Sequence, residues 1–159
     1  MKRILSFLLT LVLILTMIPM NVSAAKGDKL IALTFDDGPD ANDTPRLLDG
    51  LKERDVSVTF FVQGQSLEWG SSYVSRAYAE GHEIGSHSWN HPNLPDLSTS
   101  AALEQFTKTA KQLDKICGAG TEYLIRPPYG NTTSEFREKI DAPLIHWSVD
   151  TLDWELLNE

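Results

Sequence analysis

Short runs rich in β-branched and aromatic residues alternate along this chain with stretches whose apolar residues recur at helical spacing. That alternation constrains the fold most, because strands joined by helical crossovers lie parallel and need helices packed on their faces. Residues 29–34, 56–62 (VSVTFFV), 83–86, 123–126 and 144–149 read as five strands. The first helix is expected to start at an N-cap Thr44 with Pro45 in its first turn, setting Leu47, Leu48 and Leu51 on one face. A second spans 67–79 and stops before Gly81. The third is capped at Ser98 or Ser100, carries Leu103, Phe106, Ala110, Leu113 and Cys117 at helical spacing, and stops at Gly118. A fourth is expected over 132–140. The class is therefore α/β, with about five parallel strands and helical crossovers.

In such sheets ligands and catalytic groups gather where strands end and loops begin. The distinctive polar residues stand at those places. Asp36 and Asp37 follow the first strand, His87 and His91 the third, Arg126 ends the fourth, and Asp150 and Asp153 follow the fifth.

His87 and His91 are four residues apart, so one turn of chain points both imidazoles the same way. Imidazole is the commonest metal ligand among side chains, although two unrelated surface histidines explain the pair equally well. Asp36-Asp37-Gly38-Pro39 reads as a strand running into a turn. Adjacent carboxylates there repel each other unless a cation binds them. One Asp with two His supplies three ligands and leaves a position for water, the pattern of a catalytic zinc site, and the other Asp is then free to act as a base. Arg126-Pro127-Pro128-Tyr129-Gly130 is either a rigid turn or a way of holding a permanently charged fork beside the carboxylates. Asp150-Thr151-Leu152-Asp153-Trp154 alone is a capped loop with one aromatic. His82 and His146 occupy positions unsuited to such a site and read as structural or surface residues.

Taken in order, TFDDGP, HSWNHP, RPPYG and DTLDW resemble the polysaccharide deacetylase family, also called carbohydrate esterase family 4. The intervening VTFFVQG and GHEIGSHS are similar to that family too, and the likeness runs from Lys29 to Trp154. The resemblance implies a distorted (β/α) barrel and hydrolysis of N-acetyl groups on N-acetylglucosamine units of peptidoglycan or chitin-like polysaccharide. It implies that Asp37, His87 and His91 hold a metal, zinc or another divalent ion such as cobalt. It makes Asp36 the general base and Arg126 the residue that orients it. It assigns the Tyr129 N–H to the oxyanion, Asp153 to tuning a histidine, and Trp154 to the wall of the acetyl pocket.

This sequence departs from the family pattern at its end. Members carry a later Leu-x-His whose histidine is the general acid, and no residue after Trp154 matches it. The barrel is accordingly expected to be incomplete, with an open sheet edge and an uncovered apolar face. Two other functions stay open on that ground: an inactive remnant that binds zinc and glycan without turnover, and a hydrolase of acetyl esters, whose leaving group asks less of an acid.

The first residues have the three-part layout of a secretory signal peptide. Lys2 and Arg3 precede an apolar run from Ile4 to Ile18, and Val22 and Ala24 stand at the small-residue positions of a cleavage site. Cleavage after Ala24 is expected, leaving residues 25–159 as the deacetylase domain of a secreted, cell-surface or wall-associated protein. An uncleaved anchor is the alternative, but the apolar run is shorter than the roughly 20 residues of a spanning helix. The net charge of −8 sits on a chain whose leader holds only basic charges, so the remainder is near −10. Nucleic acid is excluded as a partner on that ground, whereas a neutral or partly cationic glycan is tolerated. No stable protein partner is indicated. The single cysteine, Cys117, cannot form an internal disulfide and reads as a core thiol.

Overall fold

The computed structural model describes residues 29–155. The expected leader, residues 1–24, lies outside them, as do residues 156–159, where a further helix is expected to begin. The chain divides into Met1–Ile31 and Ala32–Glu159, and the fold belongs to the second unit. Among the described residues no helix is long and apolar enough to cross a membrane.

Three strands, β1 (Thr34–Asp36), β2 (Thr59–Val62) and β3 (Glu83–Ser86), form one parallel sheet in the order β1-β2-β3. Thr34 pairs with Thr59 and Asp36 with Phe61, while Thr59 pairs with Glu83 and Val62 with Ser86. This register brings the C-terminal ends of all three strands to one edge. Helices α1 (Asp43–Glu53) and α2 (Leu67–Ala79) make the crossovers, followed by α3 (Thr99–Cys117) and the short α4 (Ser134–Lys139).

The expected fourth and fifth strands are each reduced to a single bridging residue: Ile125 bridges Ser86 on one side and Leu144 on the other, both in parallel. The order of the sheet continues through them, but not as ladders. Pro127 and Pro128 have no N–H to extend the pairing beyond Arg126. On the other segment, the Arg126 side chain takes the carbonyls of Ile145 and His146. The first strand is shorter than the expected 29–34 and lies further along the chain: its ladder begins at Thr34 and takes in Asp36, a residue expected to follow it.

Two apolar clusters hold the layers together. Phe60, Val62 and Ile84 of the sheet pack with Leu48 and Leu51 of α1, Val74 and Ala77 of α2, and Leu113 and Cys117 of α3. Burial raises the Cys117 thiol pKa, as suits a core thiol. The second cluster joins Ala102 and Phe106 of α3 to Leu94, Ile125 and Phe136. Fully burying a side chain of this size stabilises by about 1.5–3 kcal/mol.

Helix ends follow their capping chemistry. The Ser98 hydroxyl accepts the Ala101 N–H at 3.3 Å to start α3, and Gly118, at φ 101, ends it. Thr133 caps α4 through the Phe136 N–H. Thr44 is not the N-cap of α1. The Asp40 carboxylate accepts the N–H groups of Asn42 (2.7 Å) and Asp43 (2.9 Å), and Thr44 instead accepts the Asp40 N–H. Those N–H groups lower the pKa of Asp40.

Candidate metal and catalytic site

Asp36 closes β1 and Asp37 follows it with a left-handed backbone, φ 69. Both adjacent carboxylates reach the same side, within 3.8 Å of His87 Nε2, but their other partners differ. The loop after β3 brings in His87 and His91. Ser88 at φ 70 and His91 at φ 59 let that loop coil back, and the Ser88 hydroxyl accepts the His91 N–H at 3.0 Å. From α3, the Gln105 carboxamide oxygen accepts the N–H groups of both Trp89 and Asn90. Left-handed residues other than glycine cost about 1–3 kcal/mol each and cluster where function requires the geometry. Here Asp37, Ser88, His91 and Tyr129 all belong to one site.

Ligand atoms of Asp37, His87 and His91 lie within 4.8 Å of one another. Asp37 Oδ1 is 3.7 Å from His87 Nε2 and 3.5 Å from His91 Nε2. Zinc bonds of about 2.0–2.1 Å at tetrahedral angles set donor atoms about 3.3 Å apart, so the observed spacing fits such an ion. The tautomer of His87 also fits. Its Nδ1 is 2.7 Å from the Arg126 carbonyl, which only accepts, so Nδ1 carries the proton and Nε2 keeps its lone pair. Burial holds the His87 pKa below the ordinary histidine value, against the opposing pull of Asp36.

Asp36 stands beside this trio. Its Oδ2 is 3.8 Å from His87 Nε2, while its Oδ1 accepts Arg126 Nη1 at 2.7 Å. The buried Arg126 guanidinium is fixed on every side. It donates to Thr34 Oγ1 at 2.8 Å, to the Ile145 carbonyl at 3.3 Å and to the His146 carbonyl at 3.4 Å, and it lies 4.1 Å from the centroid of Phe61. The two carboxylates differ in environment: Asp37 lies near both imidazoles, and Asp36, near His87 alone, is held by the Arg126 cation.

Tyr129 turns at φ 58 and sets its ring edge-on to His91, with centroids 4.7 Å apart. The site thus gathers Asp36, Asp37, His87, His91, Arg126 and Tyr129. It does not gather the last motif. Asp153 is exposed and takes the Thr151 hydroxyl, and no hydrogen bond or ion pair joins it to a histidine among the described residues. Trp154 is 61% exposed. His82 is buried, as a structural residue would be, and its Nδ1 accepts the Val58 N–H at 3.3 Å. His146 is exposed.

Reasoning from sequence missed Gln63, whose Nε2 donates to Asp37 Oδ1 at 2.8 Å, and Thr34, which receives Arg126. Gln63 follows β2 directly, so the strand-end rule that singled out the aspartates and histidines applies to it as well.

The polysaccharide deacetylase family profile matches residues 23–142. Over 138 residues the chain is 46% identical to peptidoglycan-N-acetylglucosamine deacetylase PgdA of Listeria monocytogenes, a match covering 87% of this chain and 29% of that one. It is 40% identical over 128 residues to a peptidoglycan-N-acetylglucosamine deacetylase of Bacillus cereus, covering 79% of this chain and 46% of the relative. The chain thus spans less than half the length of these curated relatives. The solved structure of peptidoglycan deacetylase PdaC from Bacillus subtilis aligns with a TM-score of 0.76 at 41% identity, over 81% of this chain and 63% of the other. By sequence and by fold, this chain belongs to the polysaccharide deacetylase family.

Proposed function

We propose that this chain carries a metal-dependent N-deacetylase site that hydrolyses the N-acetyl groups of N-acetylglucosamine units in peptidoglycan or a chitin-like polysaccharide, releasing acetate. The observation that carries this reading is the convergence of Asp37, His87 and His91 beside an Asp36 carboxylate clamped by Arg126. The glycan follows from the names of the relatives, which include peptidoglycan and chitin deacetylases.

The two imidazoles and one carboxylate suit zinc, with cobalt as a substitute. Such an ion, when bound, polarises a carbonyl and makes water acidic enough to attack it. The chain's own residues do the rest. Asp36, oriented through one oxygen by Arg126, has its other oxygen free on the side of the histidines to receive a proton. The strained turn at Tyr129 supports a role for its N–H as an oxyanion donor, an interaction whose loss typically costs about 10²–10³ in rate. The sheet and its two bridged segments suit part of a distorted (β/α) barrel, and the leader-like first 24 residues support export to the surface where such glycans lie.

The test is acetate release from N-acetylglucosamine oligomers, followed with a chelator and after zinc is restored. Release that stops with the chelator and returns with zinc is expected. Zinc uptake without any release would replace this reading with a binding module, and faster release from acetyl esters than from acetamides would change the substrate class.

A further inference from the structure

We infer that Gln63 is a positioning residue for the metal centre, holding the Asp37 carboxylate over the two histidines through a relay that starts at Gln65. This inference rests on the metal-site reading above. Asp37 needs such support. Its side chain is 60% exposed, whereas those of His87 and His91 are 4% and 24% exposed, so it is the trio's least constrained member. Its backbone is set at φ 69, which does not itself fix the rotation of the carboxylate.

Gln63 supplies the constraint. Its N–H donates to the Gly38 carbonyl at 3.0 Å, which ties the end of β2 to the residue after Asp37. Its side-chain Nε2 then donates to Asp37 Oδ1 at 2.8 Å. That oxygen is the one nearest both imidazoles. A carboxylate oxygen has a second lone pair, so the amide bond leaves it able to bind a cation. The orientation of the Gln63 amide is itself determined. Gln65 Nε2 donates to Gln63 Oε1 at 3.0 Å, and the Asp37 carboxylate only accepts, so the nitrogen of Gln63 must face Asp37. Gln65 is anchored in turn, because its N–H donates to the Trp89 carbonyl at 2.9 Å, within the loop that carries both histidines. The relay therefore runs from the histidine loop through two carboxamides to the aspartate, and it couples the placement of one ligand to that of the other two.

Partners of metal ligands of this kind change metal affinity by about 10–100-fold when removed. Gln63→Leu, which keeps the volume and deletes the donor, is expected to weaken zinc binding by about tenfold or more in competition with a chromogenic chelator. It should also shift the visible bands of the cobalt-loaded protein, which report ligand geometry and do not respond to general stability. The metal-free melting temperature is expected to stay at the wild-type value. Gln65→Leu, at an exposed position, frees the Gln63 amide to rotate and should weaken zinc by about threefold, the worth of one neutral hydrogen bond. It also decides the matter should Gln63→Leu fail to fold. Wild-type affinity and unchanged cobalt bands in the folded variants would overturn this inference alone. A wild-type chain that takes up no zinc would overturn the metal-site reading and this inference with it.

Discussion

Replacing Arg126 with Met removes a cation that joins the first strand to the segment after Leu144, and the cost can be worked from its contacts. Arg126 is 3% exposed, and its guanidinium makes four hydrogen bonds, to Asp36, Thr34 and the carbonyls of Ile145 and His146. Removing one partner of a fully buried ion pair costs about 3–5 kcal/mol. The Asp36 side chain is 29% exposed and so regains some hydration, which moves the expectation to the low end of that range. The carbonyls at 3.3 and 3.4 Å are weaker partners and add little beyond it. A loss of about 3 kcal/mol lowers Tm by about 10 °C in a domain of this size. Differential scanning calorimetry of the metal-free protein measures it. Asp36→Asn in the same background separates the pair from the packing: the double variant should lose less than the sum of the two single losses, because the charge left unpaired by Arg126→Met is then absent. A Tm for Arg126→Met within about 2 °C of wild type would refute the claim that this residue locks the site, since it would mean the four bonds are replaced by water at no cost.

Burial lowers the His82 pKa, assisted by Arg76 and opposed by Glu80. The unfolded chain therefore binds a proton there before the folded one does, and stability should fall as pH drops below about 6.5. His87 adds a loss of the same sign. His82→Gln, which can still accept the Val58 N–H, should flatten the decline in urea midpoint between pH 7 and pH 5, and an unchanged decline would contradict this. At Gly85, an added Cβ would stand 2.6 Å and 2.7 Å from carbons of the buried Phe61 ring and 2.9 Å from the Leu124 carbonyl. Gly85→Ala should therefore cost about 1–3 kcal/mol in denaturant titration, and it should slow acetate release as well because Phe61 supports Arg126. Ser98→Ala should cost about 1 kcal/mol by removing the α3 cap, while Ser100→Ala, whose hydroxyl meets only that of Ser98, should be close to neutral.

The sequence was most readable where one local rule decides the outcome. The span of α2 and that of β3 are the residues their patterns indicate, and Gly118 stops α3 as expected. Periodicity failed at the outer segments, because an apolar run shows that a strand is possible but not that a neighbour will pair along its length. Around Ile125 and Leu144 the prolines and the Arg126 side chain leave one bridging residue in each segment. Thr44 departs from its expected N-cap position for a similar reason. A serine, threonine or aspartate near a proline is a plausible cap, and only the chain path shows that Asp40 reaches the free N–H groups first. In the site, strand-end position found the two aspartates, the two histidines and Arg126. The same rule places Asp153 and Trp154 after a strand that barely forms, and there the convergence stops. Gln63 is not legible in the sequence because a carboxamide carries no charge, and its use is plain only from its 2.8 Å bond to Asp37.

The central claim divides labour between neighbouring carboxylates: Asp37 binds the metal with His87 and His91, and Asp36 moves the proton. Zinc stoichiometry and acetate release, measured together on wild type and Asp36→Asn, test it directly. The expected result is one zinc per chain in both proteins, with release from N-acetylglucosamine oligomers reduced by about 10²-fold or more in the variant. Equal release from the two proteins, or zinc lost on substituting Asp36, would contradict the division.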